Sequence, residues 1–223
     1  MSEPKVVIYD LLRRAHSQSL KTGNEVAFNV YCSQVTFVVG SLRIGAKNRV
    51  SSGIKELLSE MEWAARVCGD MHLARLTLNF HSHTITTRAG YYPSFPDFLY
   101  DLALSGAMDR VGGPRPIFFI ADASGNLFAY RFVAPRSEIE DLAEFLALTR
   151  RDIEEEFDLK APANQDQLNL LMEKFFRSIR TKAFRKFTES RLWRRSKWNV
   201  GALGELLKPF GCDSIIFSED WGE

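Results

Sequence analysis

The feature that most limits how this chain can fold is the order in which its hydrophobic repeats change period. Apolar residues recur at helical spacing over 5–18 (Val7, Ile8, Leu11, Leu12, Ala15), and Thr22, Gly23 and Asn24 end that stripe. Period-two alternation follows in "EVAFNVYC" (25–32) and "QVTFVVGSLRIG" (34–45), joined by a short turn near Ser33. A serine-capped helix comes next, with Ile54, Leu57, Leu58, Met61 and Ala65 on one stripe. "LARLTLNFHSH" (73–83) reads as another strand, 84–93 as a loop holding Gly90 and Pro93. From Ser94 a helix is expected, because serine is a good N-cap and Pro96 falls in the first turn, where its missing N–H costs nothing. "PIFFIAD" (116–122) and "NLFAYRFVA" (126–134) form a hairpin around Ser124-Gly125. Strands interleaved with helices over 223 residues predict an α/β (α+β) fold, a mixed β-sheet flanked by helices.

After Pro135 the pattern changes. Residues 136–158 read as an acidic helix, 164–198 as a basic helix, 201–208 as a short helix, and "SIIFSE" (214–219) as a last strand. The predicted division is therefore a core domain, 1–135, and a mostly helical C-terminal extension, 136–223. Between Lys174 and Lys197 there are ten Lys/Arg and a single acid, Glu189. Phe176, Ile179, Ala183 and Phe187 fall near one stripe of that helix, which assigns the aromatics to a core or interface rather than to base stacking. Three uses of the basic face stay open. It can pair with the acidic helix, within the chain or across a homo-oligomer. It can meet an acidic protein partner. Or it can contact nucleic acid, the least favoured of the three.

Net charge is +1, so overall charge selects no partner. Cys32, Cys68 and Cys212 are odd in number and far apart, with no CxxC pair. That spacing argues against a disulfide framework or a thiolate zinc site and predicts buried free thiols in a reducing compartment. The N-terminal stretch lacks a signal-peptide pattern, and no run of 18 apolar residues occurs, so the reading is a cytoplasmic protein without a membrane span.

The chemistry concentrates in "NFHSHTITTRAGYYPSFPD" (79–97). Strand alternation puts His81 and His83 on one face, and Asp97 falls in the first turn of the following helix. Two imidazoles and a carboxylate suit zinc and leave a fourth position for water. Asp101, one turn further on, is the rival ligand. Ser94 is an N-cap whose hydroxyl also reaches the same region. Glu25, opening a strand otherwise made of apolar and aromatic residues, is the best candidate for a general base. Glu56, Glu60 and Glu62 are its alternatives, but they lie in a helical run and read as a solvated face. His16 reads as a helix-surface residue and His72 as a turn residue. Taken alone, His81 and His83 are as easily a pair of partly exposed strand histidines, and Asp97 a first-turn acid facing the helix dipole.

Glu25, "HSH" at 81–83 and "SFPD" at 94–97, in this element order, resemble the JAMM (JAB/MPN) zinc metalloprotease family over roughly residues 5–134. The resemblance implies a JAB/MPN-like, cytidine-deaminase-like core. It implies Zn2+ held by His81, His83 and Asp97, with Glu25 moving protons between the attacking water and the leaving amine. Ser94 would stabilise the oxyanion or orient the water. It further implies a deubiquitinase-like hydrolase that cuts a peptide or isopeptide bond at the C-terminus of ubiquitin or a ubiquitin-like protein. Two departures stand out: the thirteen residues between His83 and Asp97 are more than the family's usual spacing, and Thr84 stands where proline is common. The His-x-His sites of the amidohydrolase and polymerase-histidinol-phosphatase barrels need further histidines downstream, and none follows His83. Two other readings are carried alongside: a non-catalytic MPN-type scaffold, and a nucleic-acid-associated protein using the basic helix.

Overall fold

The computed structural model describes residues 3–45, 54–84, 92–112, 114–194, 198–218 and 221. Among them the chain is a mixed α/β protein with an eight-stranded sheet and six α-helices. The elements are α1 (Pro4–Thr22), β1 (Val26–Ser33), β2 (Thr36–Val39), β3 (Arg43–Ile44), α2 (Ile54–Val67), β4 (Arg75–Ser82) and α3 (Phe95–Val111). They continue as β5 (Ile117–Ala121), β6 (Leu127–Phe132), α4 (Arg136–Glu156), α5 (Gln165–Phe187), β7 (Thr188–Trp193), α6 (Val200–Leu207) and β8 (Ser214–Phe217). The strand order is β7-β6-β5-β4-β1-β2-β8, with β3 paired to β1. β4 and β5 run parallel, as do β2 and β8, while β1 is antiparallel to β2, β3 and β4. No helix among the described residues is long and apolar enough to cross a membrane.

The chain divides into two compact units. The first comprises 1–92, 112–130 and 191–223, and the second 93–111 and 131–190. In the first, α1 starts with Pro4 in its opening turn and ends at Gly23, whose φ of 67° suits the left-handed cap and whose N–H bonds Ser19 O at 2.9 Å. Its stripe of Ile8, Leu11, Leu12 and Ala15 joins the apolar face of β1, β4 and β5 in one core with Leu203, Leu206 and Leu207 of α6. Ile8 and Leu12 are almost fully enclosed, and each such side chain contributes about 1.5–3 kcal/mol by leaving water.

The opposite face of β1 and β4 is polar. Asn79 donates to Asn29 Oδ1 at 2.8 Å, and Asn29 donates to Tyr31 Oη at 2.9 Å. Glu60 of α2 completes this group: its carboxylate accepts from the Tyr31 hydroxyl, from Asn29 at 3.1 Å and from Arg43 at 2.9 Å. The solvated face expected for Glu60 is thus corrected. A helix lying on a sheet face that carries Asn29, Tyr31 and Asn79 needs an acceptor there, because buried donors must be paired. Gly40 permits this packing, since a Cβ there would lie 3.0 Å from Glu60 Oε2 and 3.2 Å from the Tyr31 ring. His16 is corrected too: it is buried, bonds Asp122 O through Nε2 at 2.8 Å, and stacks near Trp198 with ring centroids 5.6 Å apart.

In the second unit, Phe98 of α3 is buried among Phe132, Phe176 and Phe184 at centroid distances of 5.4, 4.9 and 5.5 Å. The α5 aromatics therefore build a core, as their stripe predicted. The acidic α4 packs on the basic α5, with Phe145 and Phe175 rings 6.1 Å apart and Lys186 Nζ 3.5 Å from Glu138. The single basic helix expected over 164–198 instead ends at Phe187, and the chain continues as β7. Thr188, with extended backbone, turns the chain out of the helix while its hydroxyl bonds Phe184 O at 2.8 Å. In "TESRLW" the β-branched and aromatic residues favour the strand.

Candidate metal centre

β4 carries His81 near its end, and His83 follows directly after its last residue, Ser82. Antiparallel partners run Phe28 with Phe80 and Ala27 with His81. Glu25 lies one residue before β1 and His83 one residue after β4, at the end of the sheet where Ala27 pairs His81. Ser82, between the histidines, points the other way and fastens this end of the sheet. Its hydroxyl accepts from Val26 N at 2.8 Å and donates to Ser19 Oγ at 2.8 Å, and Ser19 in turn bonds Asn24 O at 2.8 Å. Beyond the strand, His83 N–H donates to Ala121 O at 2.7 Å, so the second histidine is held by the ladder to β5. Sequence reading passed over Ser82. Its signal was a small hydroxyl residue at an inward strand position, which requires a buried partner.

The two imidazoles converge. His81 Nε2 and His83 Nε2 lie 3.2 Å apart, with ring centroids separated by 4.9 Å and planes at 52°. Two nitrogens each bound to one tetrahedral zinc at about 2.0–2.1 Å are separated by about 3.3 Å. The same spacing permits one Nε2–H to donate to the other Nε2, so a metal ion and that shared proton compete for the same two atoms. Metal ligation requires both rings in the tautomer with the proton on Nδ1. Both histidines are buried, as is Glu25 just before β1, whose carbonyl accepts from Gly45 N at 2.8 Å.

Ser94 and Asp97 open α3 as a capping box. Ser94 N–H donates to Asp97 Oδ2 at 2.9 Å, and Asp97 N–H donates to Ser94 Oγ at 3.4 Å. The Ser94 hydroxyl also donates to Asp97 Oδ2, at 2.5 Å. Both Ser94 donors land on one carboxylate oxygen, so the orientation of Asp97 is set from within its own helix turn. Glu173 of α5 accepts the Phe95 N–H at 2.7 Å, satisfying another amide at this helix start. Asp101, the rival ligand, is buried along the same helix. Thr84 lies within the described residues, whereas 85–91 of the long spacing lie outside them, as does the serine cap expected before α2.

His81 and His83 of the first unit offer two imidazole nitrogens and Asp97 of the second a carboxylate oxygen, donors of the kinds that metal ions take. This chemistry suits a borderline-soft divalent ion better than calcium or magnesium, which prefer oxygen alone. The chain matches no protein-family model, and no curated protein resembles it significantly in sequence.

Proposed function

We propose that this protein is a zinc-dependent peptidase or isopeptidase of the JAMM (JAB/MPN) type. Its substrate would be the bond at the C-terminus of ubiquitin or a ubiquitin-like protein. The observation that carries this reading is the histidine pair: two Nε2 atoms of buried histidines at the bite distance of one tetrahedral ion, with Glu25 buried just before the neighbouring strand β1. The order of helices and strands along 5–134 and the mixed sheet support the JAB/MPN assignment.

In this reading His81, His83 and Asp97 hold zinc. When bound, zinc supplies a hydroxide near neutral pH and a Lewis acid at the scissile carbonyl. Glu25, buried just before β1, would take the proton from the attacking water and return it to the leaving amine. Ser94 orients Asp97 through Oδ2, and its hydroxyl would serve as the oxyanion donor.

The capping box favours a second reading, an MPN-type scaffold in which Ser94 and Asp97 only start a helix. Elemental analysis and cleavage assays with ubiquitin-like fusions separate the two. Wild type is expected to hold one zinc per chain, and His81→Ala to lose it. Glu25→Gln should keep the zinc while hydrolysis falls by about 10²–10⁴-fold. A wild type that holds no zinc under metal-replete conditions overturns the assignment, and zinc without cleavage in either form selects the scaffold.

A further inference from the structure

Cys32, Cys68 and Cys212 are separated along the chain by whole elements, and all three are free and half-buried. The fold nevertheless brings Cys32 and Cys212 together within the first unit. Cys32 is the penultimate residue of β1, and Cys212 lies two residues before β8. β2 bridges them: Phe37 partners Cys32 on one side and Ile215 on the other. Gly211, at φ 67°, makes the turn that returns the chain, and Asp213 N–H then anchors it on Val35 O at 2.9 Å. Both sulfurs meet the same acceptor, since Cys32 Sγ and Cys212 Sγ each lie 3.6 Å from Phe210 O. Across the β1–β4 ladder, Cys32 directly faces Arg75.

We propose that Cys32 and Cys212 form a thiol redox pair that a peroxide converts into a disulfide, tying the segment before β8 to β1. The two sulfurs differ in the way such a pair requires. The neighbouring Cys212 thiol, with help from Arg75, holds the Cys32 thiol below its usual range against the opposing effect of burial. The neighbouring Cys32 first, and burial second, push the Cys212 thiol up. Cys68 is also raised, chiefly by burial, which makes it the poorer attacker. Cys32 thiolate attacks one peroxide oxygen, the O–O bond breaks, and hydroxide leaves, giving a sulfenic acid on Cys32. Cys212 sulfur then attacks the sulfenic sulfur, the S–O bond breaks, and water leaves with the Cys212 proton. One peroxide is reduced to two waters as two thiols become one disulfide.

The test uses the full reduced chain. After exposure to equimolar hydrogen peroxide, remaining thiols are alkylated with iodoacetamide and the digest is mapped by mass spectrometry. The expected product is a Cys32–Cys212 linked peptide, 2 Da lighter than its two reduced peptides combined, with Cys68 alkylated. Cys68→Ser should give the same link. Cys212→Ser should leave Cys32 trapped by dimedone as the sulfenic acid, which keeps the assignment testable without the second thiol. Full alkylation of all three cysteines after peroxide, or a link made preferentially through Cys68, overturns the proposal.

Discussion

Ser94→Ala removes one oxygen that serves two neighbours. The lost hydroxyl accepts the Asp97 N–H at 3.4 Å and donates to Asp97 Oδ2 at 2.5 Å, while the backbone bond from Ser94 N to Oδ2 at 2.9 Å survives. At 3.4 Å the cap bond is long, so its share falls toward the low end of the usual range of about 0.5–2 kcal/mol. The hydroxyl–carboxylate bond is short and charge-assisted, but both residues are half-buried and water replaces part of it. The two together give about 1 kcal/mol of destabilisation, a drop of about 2–4 °C in Tm for a chain of this size. Urea unfolding of the metal-free protein measures it. If Asp97 is a zinc ligand, losing the group that orients its carboxylate also lowers zinc affinity by about 10–100-fold, read by competition with a chromophoric chelator. Ser94→Thr should restore both. Unchanged stability would refute the capping box. A stability loss with unchanged zinc affinity would refute the orienting role and leave Ser94 a helix cap alone.

Three further outcomes follow from the same physical reasoning. Glu60→Ala strands the Tyr31 hydroxyl, the Asn29 amide and the Arg43 guanidinium beneath α2, and should cost about 2–3 kcal/mol in urea unfolding. Glu60→Gln, which keeps a side-chain oxygen acceptor, should cost less. Burial first, and the neighbouring Glu60 charge second, raise the Tyr31 pKa far above the usual value of 10.0. The unfolded chain therefore releases this proton above about pH 10 while the folded chain retains it, so stability is intact below that pH and is lost above it. By about pH 11 the loss is about 1.4 kcal/mol, and Tyr31→Phe should remove that part of the alkaline slope. The Glu25→Gln variant described above separates metal binding from proton transfer, with bound zinc and cleavage rate as independent readouts.

Much of the molecule was legible in its residues because the relevant forces are local. Period-two runs around Phe28 and Phe80 and helical stripes such as Ile8, Leu11, Leu12 and Ala15 are set by which side chains share a face, and no distant contact changes that. The same alternation put His81 and His83 together, and "SFPD" announced a helix start. The misreadings have one cause. Glu60, His16 and the segment after Phe187 were judged by local pattern, but a partner remote in sequence decided each. Tyr31, Asn29 and Arg43 claimed Glu60, the Asp122 carbonyl claimed His16, and a place in the sheet drew 188–193 out of the helix.

By itself, then, the sequence determined most element types, the apolar faces and the donor chemistry of Glu25, His81, His83, Ser94 and Asp97. Tertiary structure alone decided the quantities that chemistry depends on. One is the 3.2 Å between the two Nε2 atoms, and another is the β1–β4 register that pairs Ala27 with His81. A third is the meeting of Cys32 with Cys212 beside β2. The physical reason is range. Periodicity and residue type act over a few residues, whereas distances between ligands, bases and thiols are fixed only when strands far apart in the chain pair in one register.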